Sequence, residues 1–223
     1  MFFPEKITQI RLQDRVLEIG PGSFPHPRSN SFLELDYVSI DDKISQRGGL
    51  LEDANFGNRQ VYYYDGNKFP FEDNQFDYVI CSHVVEHVPD PELFLKEVFR
   101  VGGGRGYIEY PLITYEYLYN FDVHLHFVKF DHEKNSLRYL PKRETAFSEF
   151  SAVNALFNRT LAYGWDELCA ANKELFFEGV EFKQPFSIGK SRELDRLLPS
   201  ASLITPKRAI RKFVGKIMNK IGL

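Results

Sequence analysis

Four places in this 223-residue chain combine a permissive backbone with polar side chains suited to a single ligand. Gly20-Pro21-Gly22 follows the apolar run Val16-Leu17-Glu18-Ile19. Glycines there can take positive φ and let the backbone come close to a bound molecule. Glu34 and Asp36, with Asp41 a little later, offer carboxylates able to accept both hydroxyl protons of a ribose. Asp65-Gly66 precedes Phe69-Pro70-Phe71, so an acid that can accept from an adenine amino group stands beside an apolar loop that can cover its ring. Ser82-His83 and then Glu86-His87 come next. A nucleoside-sized ligand fits this set.

Each place lies at or just after the end of a segment that reads as a strand. Val16 to Ile19 stops at the glycines, Ser31 to Leu35 is the second strand (Tyr37 to Ile40 competes with it), and Gln60 to Tyr64 is the third. Phe76 to Cys81 is almost wholly apolar, as a central strand buried on both faces should be. Asp90 can cap a helix with Pro91 in its first position, Leu93, Phe94, Val98, Phe99 and Val101 make its apolar stripe, and Gly102 to Gly104 stops it. Gly106 to Tyr110 is a fifth strand. In open α/β sheets, ligands bind beyond the carboxyl ends of the strands, which is where the four places fall. Pro25 and Pro27 deny a helix directly after Gly22, so residues 23–30 read as an irregular loop. Further on, residues 126–131 and 136–141 form a hairpin around His132 to Asn135, residues 146–161 and 165–177 are helical, and residues 180–188 make a last strand. The expected fold class is α/β: a Rossmann-like, mostly parallel, doubly wound sheet with a C-terminal α+β cap and a terminal amphipathic helix. The corresponding domains are a ligand-binding core over 1–112, a hairpin and helical cap over 113–190 that completes the fold and the acceptor site, and a basic tail over 191–223.

Composition narrows the function classes. With 43% hydrophobic and 26% charged residues the chain is ordinary globular material. No apolar stretch reaches 18 residues and no secretory leader is evident. Cys81 and Cys169 cannot build a disulfide framework, so a reducing, cytoplasmic setting is expected. Residues 207–223 carry six basic side chains and no acid, leaving 22 Lys and Arg against 31 Asp and Glu elsewhere, a net of -9. An acidic body is the wrong surface for phosphate backbones, so nucleic acid is not an expected partner. In the tail, Ile210, Phe213, Val214, Ile217, Met218 and Ile221 share one helical face. That pattern suits either a peripheral helix on the inner, anionic face of a membrane or a terminal helix docked on the acidic body.

On the stretches VLEIGPG (16–22), FPFEDNQFDYVICSHVVEHVPDPELFLKEVFRV (69–101) and RGYIEYP (105–111), the chain resembles the class I S-adenosylmethionine-dependent methyltransferases, in particular the type 11-like group. The glycine motif alone is common to many nucleotide folds; the long middle stretch, with S-H-V-V-E-H-V and D-P-E-x-F-L-x-E-x-x-R-V in order, is specific. The resemblance implies S-adenosylmethionine as cofactor. It further implies that Glu18, Gly20, Pro21 and Gly22 form the loop under its methionine and ribose, and that Glu34 or Asp36 holds the ribose hydroxyls. Asp65 with the Gly66 backbone would read the adenine edge, and Ser82 and His83 would flank the methionine end. The chain departs from the family after Gly22, where Ser23-Phe24-Pro25-His26-Pro27 replaces the usual third glycine and helix.

The implied reaction is in-line displacement at a sulfonium methyl, in which the protein chiefly supplies proximity and alignment. A hydroxyl acceptor also needs a base, for which histidine is suited near neutral pH. His83, His87, His124 and His126 are the candidates; His83 and His126 are the two expected to be catalytic, and His87 is expected to be structural. His124-x-His126 and His132-Glu133 superficially suggest a metal, but such spacing recurs by chance and no metal is expected. A small molecule, sugar or lipid-linked glycan is the expected acceptor, the last drawn from the tail. Two competitors are a cofactor-binding scaffold without turnover and a nicotinamide-dependent oxidoreductase; the latter wants a fuller G-x-G-x-x-G turn leading into a helix.

Overall fold

The computed structural model describes residues 1–35, 55–145, 147–148 and 152–198. Its main sheet has six strands: β1 (Val16–Ile19), β2 (Ser31–Leu35), β3 (Gln60–Tyr64), β4 (Tyr78–Ser82), β5 (Gly106–Pro111) and β8 (Phe177–Phe182), in the spatial order β3-β2-β1-β4-β5-β8. The first five are parallel, and β8 joins the edge of β5 antiparallel. A smaller sheet pairs β6 (His126–Asp131) with β7 (Ser136–Pro141) as the expected hairpin, and β9 (Ser187–Lys190) lies parallel to β7. The single strand expected over 180–188 is therefore two strands in two sheets. Pro185 lies between them, and it has no N–H to continue a ladder.

Helix α1 (Pro91–Val101) links β4 to β5. The Asp90 carboxylate accepts from the Leu93 N–H at 2.9 Å, as its position before Pro91 suggests. Phe94, Leu95, Val98 and Val101 are buried, whereas Leu93 of the expected stripe is exposed. Gly102 caps the end, and Gly103 and Gly104 turn away at positive φ. No helix follows β1: residues 23–30 are irregular, as the prolines require. After β5 the chain forms α2 (Ile113–Tyr119), for which the sequence carried no clear periodic signal, then α3 (Ala152–Thr160), α4 (Asp166–Ala171) and α5 (Lys173–Phe176). The helical span 165–177 is broken, and a kink at Tyr163 and Gly164 separates α3 from α4. The amphipathic tail, 207–223, lies outside the described residues.

Side-chain alternation divides the sheet's two faces. Leu17, Ile19, Leu33, Val79, Cys81 and Ile108 pack with α1 and with Val128, Phe130 and Leu137 of the hairpin. Val16, Tyr78, Ile80 and Tyr107 point the other way, against Ile7 and Ile10 of the N-terminal segment. That segment, which carries no periodic signal of its own, is tied to β8: the Thr8 and Gln9 N–H groups both donate to Glu181 Oε1 at 2.9 Å. Tyr110 and Tyr119 are fully buried; Tyr119 packs with Phe3, Cys169 and Phe177 in a second cluster, so these two tyrosines serve packing.

Candidate active site

The parallel register brings the four expected places to one rim. Glu18 pairs with Phe32 and Ile80, Leu35 with Tyr64, and Ser82 with Glu109, so the exits of β1 to β5 stand side by side. Three exits leave through left-handed backbone: Gly20 at φ +58, Gly66 at φ +89 and His83 at φ +57. At Gly20 the N–H donates to the Leu33 carbonyl at 2.9 Å, and a Cβ would come within 2.8 Å of Val84 Cγ2. No atom lies within 4 Å of where a Gly22 Cβ would sit, so this backbone faces open space. Pro21, between them, is buried and stiffens the turn.

In-register strands share faces, so Glu18, Glu34, Ser82 and Glu109 all project to the side of Val16 and Tyr78. Glu18 and Glu34 are buried. Glu18 accepts the His26 N–H at 2.8 Å; burial raises its pKa, and hydrogen bonding only partly opposes this. The bond shows what the irregular loop does: lacking a helix N-terminus, it turns a backbone N–H onto the β1 acid. Asp65 is exposed and accepts the Asn67 N–H at 3.0 Å; the Asn67 contacts lower its pKa and pin the turn at Gly66. Asp36 and Asp41 lie outside the described residues, which leaves Glu34 as the described carboxylate at the β2 exit.

The centre of the β4–β5 rim is Glu109, a residue that no motif in the sequence singled out. Fully buried near the end of β5, it accepts from the Phe2 N–H (2.7 Å), the Phe3 N–H (3.0 Å), Ser82 Oγ (3.0 Å) and the Tyr107 hydroxyl (2.5 Å). His83 Nε2 adds a contact at 3.0 Å. Burial opposes its charge, yet His83 and these donors bring the Glu109 pKa down to about 2. A carboxylate inside the otherwise apolar GYIEYP was the available signal.

His83 does not match the expectation of a free base. Nε2 meets Glu109 and Nδ1 lies 3.4 Å from Glu86 Oε1. The ring packs edge-on to Phe2 and Phe177, at 5.5 and 5.3 Å. Desolvation pulls its pKa down, but the two carboxylates win and raise it to about 9. A histidine already protonated at neutral pH cannot accept a proton. His126 is the opposite case. It is buried, desolvation lowers its pKa, Nε2 donates to the Val88 carbonyl at 3.0 Å, and Nδ1 has no hydrogen-bond partner. It lines a cleft of about 250 Å³ with Asn120, Asp122, His124, Lys142 and Arg143. The pairs considered for a metal do not converge: His124 meets Glu116, His126 meets Val88, and His132 meets Glu178.

A parallel sheet in the order 3-2-1-4-5, with a glycine exit on the first strand and acids on the next two exits, defines a nucleotide-type ligand rim. Residues 18–109 match the family model described as a methyltransferase domain, and over this segment the chain is similar to S-adenosylmethionine-dependent methyltransferases. The chain is similar to a sterol 24-C-methyltransferase of Schizosaccharomyces pombe, 33% identical over 109 residues, which are 45% of this chain and 29% of that protein. It is also similar to a protein-L-isoaspartate O-methyltransferase of Rhodopseudomonas palustris, 32% identical over 108 residues, 44% of this chain and 50% of the relative. A third is a ubiquinone/menaquinone biosynthesis C-methyltransferase of Ectopseudomonas mendocina, 30% identical over 112 residues, 46% of this chain and 44% of the relative. The chain thus spans half or less of the length of these relatives. Among the described residues, no helix is long and apolar enough to cross a membrane.

Proposed function

We propose that this chain transfers a methyl group from S-adenosylmethionine to a small-molecule or glycan acceptor held in the cleft beside His126. The observation that carries the reading is the rim itself, on which Gly20, Glu34, Gly66 and Ser82 end four adjacent parallel strands. The residues fit the donor: a left-handed glycine where a side chain would collide, open space over Gly22, and a buried carboxylate at the β2 exit. When bound, S-adenosylmethionine supplies an electrophilic methyl group on a sulfonium.

In this reading the Gly20–Gly22 backbone lies under the methionine and ribose portions. Glu18 holds the loop's shape through His26, Glu34 accepts from the ribose hydroxyls, and Asp65 with Gly66 faces the adenine edge. Ser82 donates to Glu109, so its own lone pairs are turned to the rim. His83 is a fixed cation that positions the β4 exit, and its left-handed φ is maintained by Glu109 and Glu86. His126, neutral and beside the cleft, with a buried Nδ1 that lacks a hydrogen-bond partner, is the residue this reading assigns as the base. The three relatives' names specify carbon in two cases and oxygen in one, so the acceptor class rests on this chain's own cleft and on its basic tail. The tail supports a lipid-linked variant of the glycan reading, in which residues 207–223 rest on an anionic membrane.

Calorimetric titration with S-adenosylhomocysteine tests the donor site. Binding that is lost in Gly20→Val and weakened in Glu34→Gln supports the proposal, and a folded chain that binds neither this ligand nor NAD leaves only a scaffold role. Radiolabelled methyl transfer into cell extracts, repeated with His126→Ala, then identifies the acceptor and tests the base.

A further inference from the structure

Beside His83, three side chains converge, of which the methyl-transfer reading uses only Glu86, and that only to hold His83. Glu86, His87 and His124 present one ligand atom each, all within 4.8 Å of one another. Glu86 is fully buried, and neither of its oxygens accepts a well-directed hydrogen bond. Oε1 lies 3.4 Å from His83 Nδ1 and 3.8 Å from His87 Nε2. The protonated His83 ring balances this carboxylate from one side, and a metal ion between it and the His87 and His124 imidazoles would add the directed bonds that its oxygens lack.

The second histidine comes prepared. His124 Nδ1 is hydrogen-bonded to Glu116, which leaves Nε2 as its outward ligand atom. A carboxylate behind a ligating imidazole fixes its tautomer and strengthens it as a donor. Glu116 Oε2 in turn accepts from Lys142 Nζ at 2.8 Å, so the lysine charge is balanced on the far side of Glu116. The His87 and His124 rings meet edge-on with centroids 4.6 Å apart. Local folding explains the juxtaposition: the Leu125 N–H donates to the Glu86 carbonyl at 2.7 Å, which ties the segment before β6 to the loop after β4. The two halves of the trio lie far apart in the chain, with α1, β5 and α2 between them, which is why spacing rules could not find it.

We propose that Glu86, His87 and His124 bind one divalent first-row transition-metal ion, zinc by the ligand set. One carboxylate and two imidazoles suit such an ion better than magnesium or calcium, which want all-oxygen cages. Bonds of about 2 Å place paired ligands no more than about 4 Å apart, so a small rotamer change closes the trio on an ion. Three protein ligands leave a coordination position open. His124 also lines the cleft that contains His126, so that position adjoins the space assigned to the acceptor, where an oxygen ligand would enter. The inference goes beyond the methyl-transfer reading and does not depend on it.

The full-length chain, stripped with a chelator and dialysed against Zn²⁺ or Mg²⁺, is tested by elemental analysis, with S-adenosylhomocysteine titrated into the same samples as a separate reading of the donor site. We expect one equivalent of zinc and no retained magnesium. Glu116→Gln should weaken zinc binding about 10- to 100-fold, His124→Ala and Glu86→Gln by more, and His132→Ala not at all. In the wild type, zinc should shift the ring resonances of His87 and His124 and leave those of His132 unmoved, a readout that needs no variant to fold. A wild type that takes up no zinc, zinc content unchanged in His124→Ala, or zinc-induced shifts confined to His132 would each overturn the site.

Discussion

Gly20→Ala probes the rim most directly, because two physical effects at that position can be separated. The native φ of +58 lies in the left-handed region, where a side chain costs about 1–2 kcal/mol. The added Cβ would stand 2.8 Å from Val84 Cγ2, well inside the roughly 3.5–4.0 Å at which carbon atoms attract. Overpacking of that kind costs about 1–3 kcal/mol. Together the losses take a large share of the roughly 5–15 kcal/mol that stabilises a typical domain. Val84→Ala removes the clashing methyl but leaves the backbone conformation unchanged. Urea denaturation of both single variants and the double variant should show Gly20→Ala destabilised by about 2–5 kcal/mol. The double-mutant cycle should give a favourable coupling of about 1–3 kcal/mol. The residual cost is the backbone contribution. S-adenosylhomocysteine affinity should follow the same partial rescue. A coupling within about 0.5 kcal/mol of zero would refute the claim that β1 and β4 exits touch through this contact.

Other outcomes follow from the buried charges. Because the folded-state pKa of His83 is raised from 6.5 to about 9, its ion pairs stabilise the fold fully below pH 6.5 and that contribution disappears as pH rises through about 9. Alkaline urea titrations of His83→Gln should be flatter over that window than those of the wild type. Lys142→Met leaves Glu116 buried with one partner fewer and should cost about 3–5 kcal/mol, read as a fall in the denaturation midpoint. Asp90→Ala removes the α1 cap and should cost about 1 kcal/mol, seen as a drop of about 2–4 °C in Tm. If residues 207–223 rest on anionic lipid, full-length protein should co-sediment with acidic liposomes at low salt and a chain ending at Thr205 should not; equal sedimentation removes the membrane reading.

Much of this protein was legible in its residues. Short apolar runs bounded by glycine, proline and acids marked β1 to β5 within two residues, Asp90-Pro91 marked the start of α1, and the polar stretch His132 to Asn135 between two apolar-rich segments marked the β6–β7 hairpin. Such signals are local: caps, turns and periodicity act over a few neighbours, so the chain declares them without its fold. The S-H-V-V-E-H-V stretch likewise pointed to the family through residue order alone. Tertiary structure alone decided what depends on residues distant in the chain. Glu109 looks like one acid in an apolar strand until Phe2, Phe3, Ser82 and His83 gather on it, and His83 looks like a base until two carboxylates hold its proton. The splitting of 180–188 between two sheets is of the same kind, as is the meeting of Glu86 and His87 with His124. Protonation state and ligand geometry are set by distance and desolvation, and neither has a value until the chain has closed around the group.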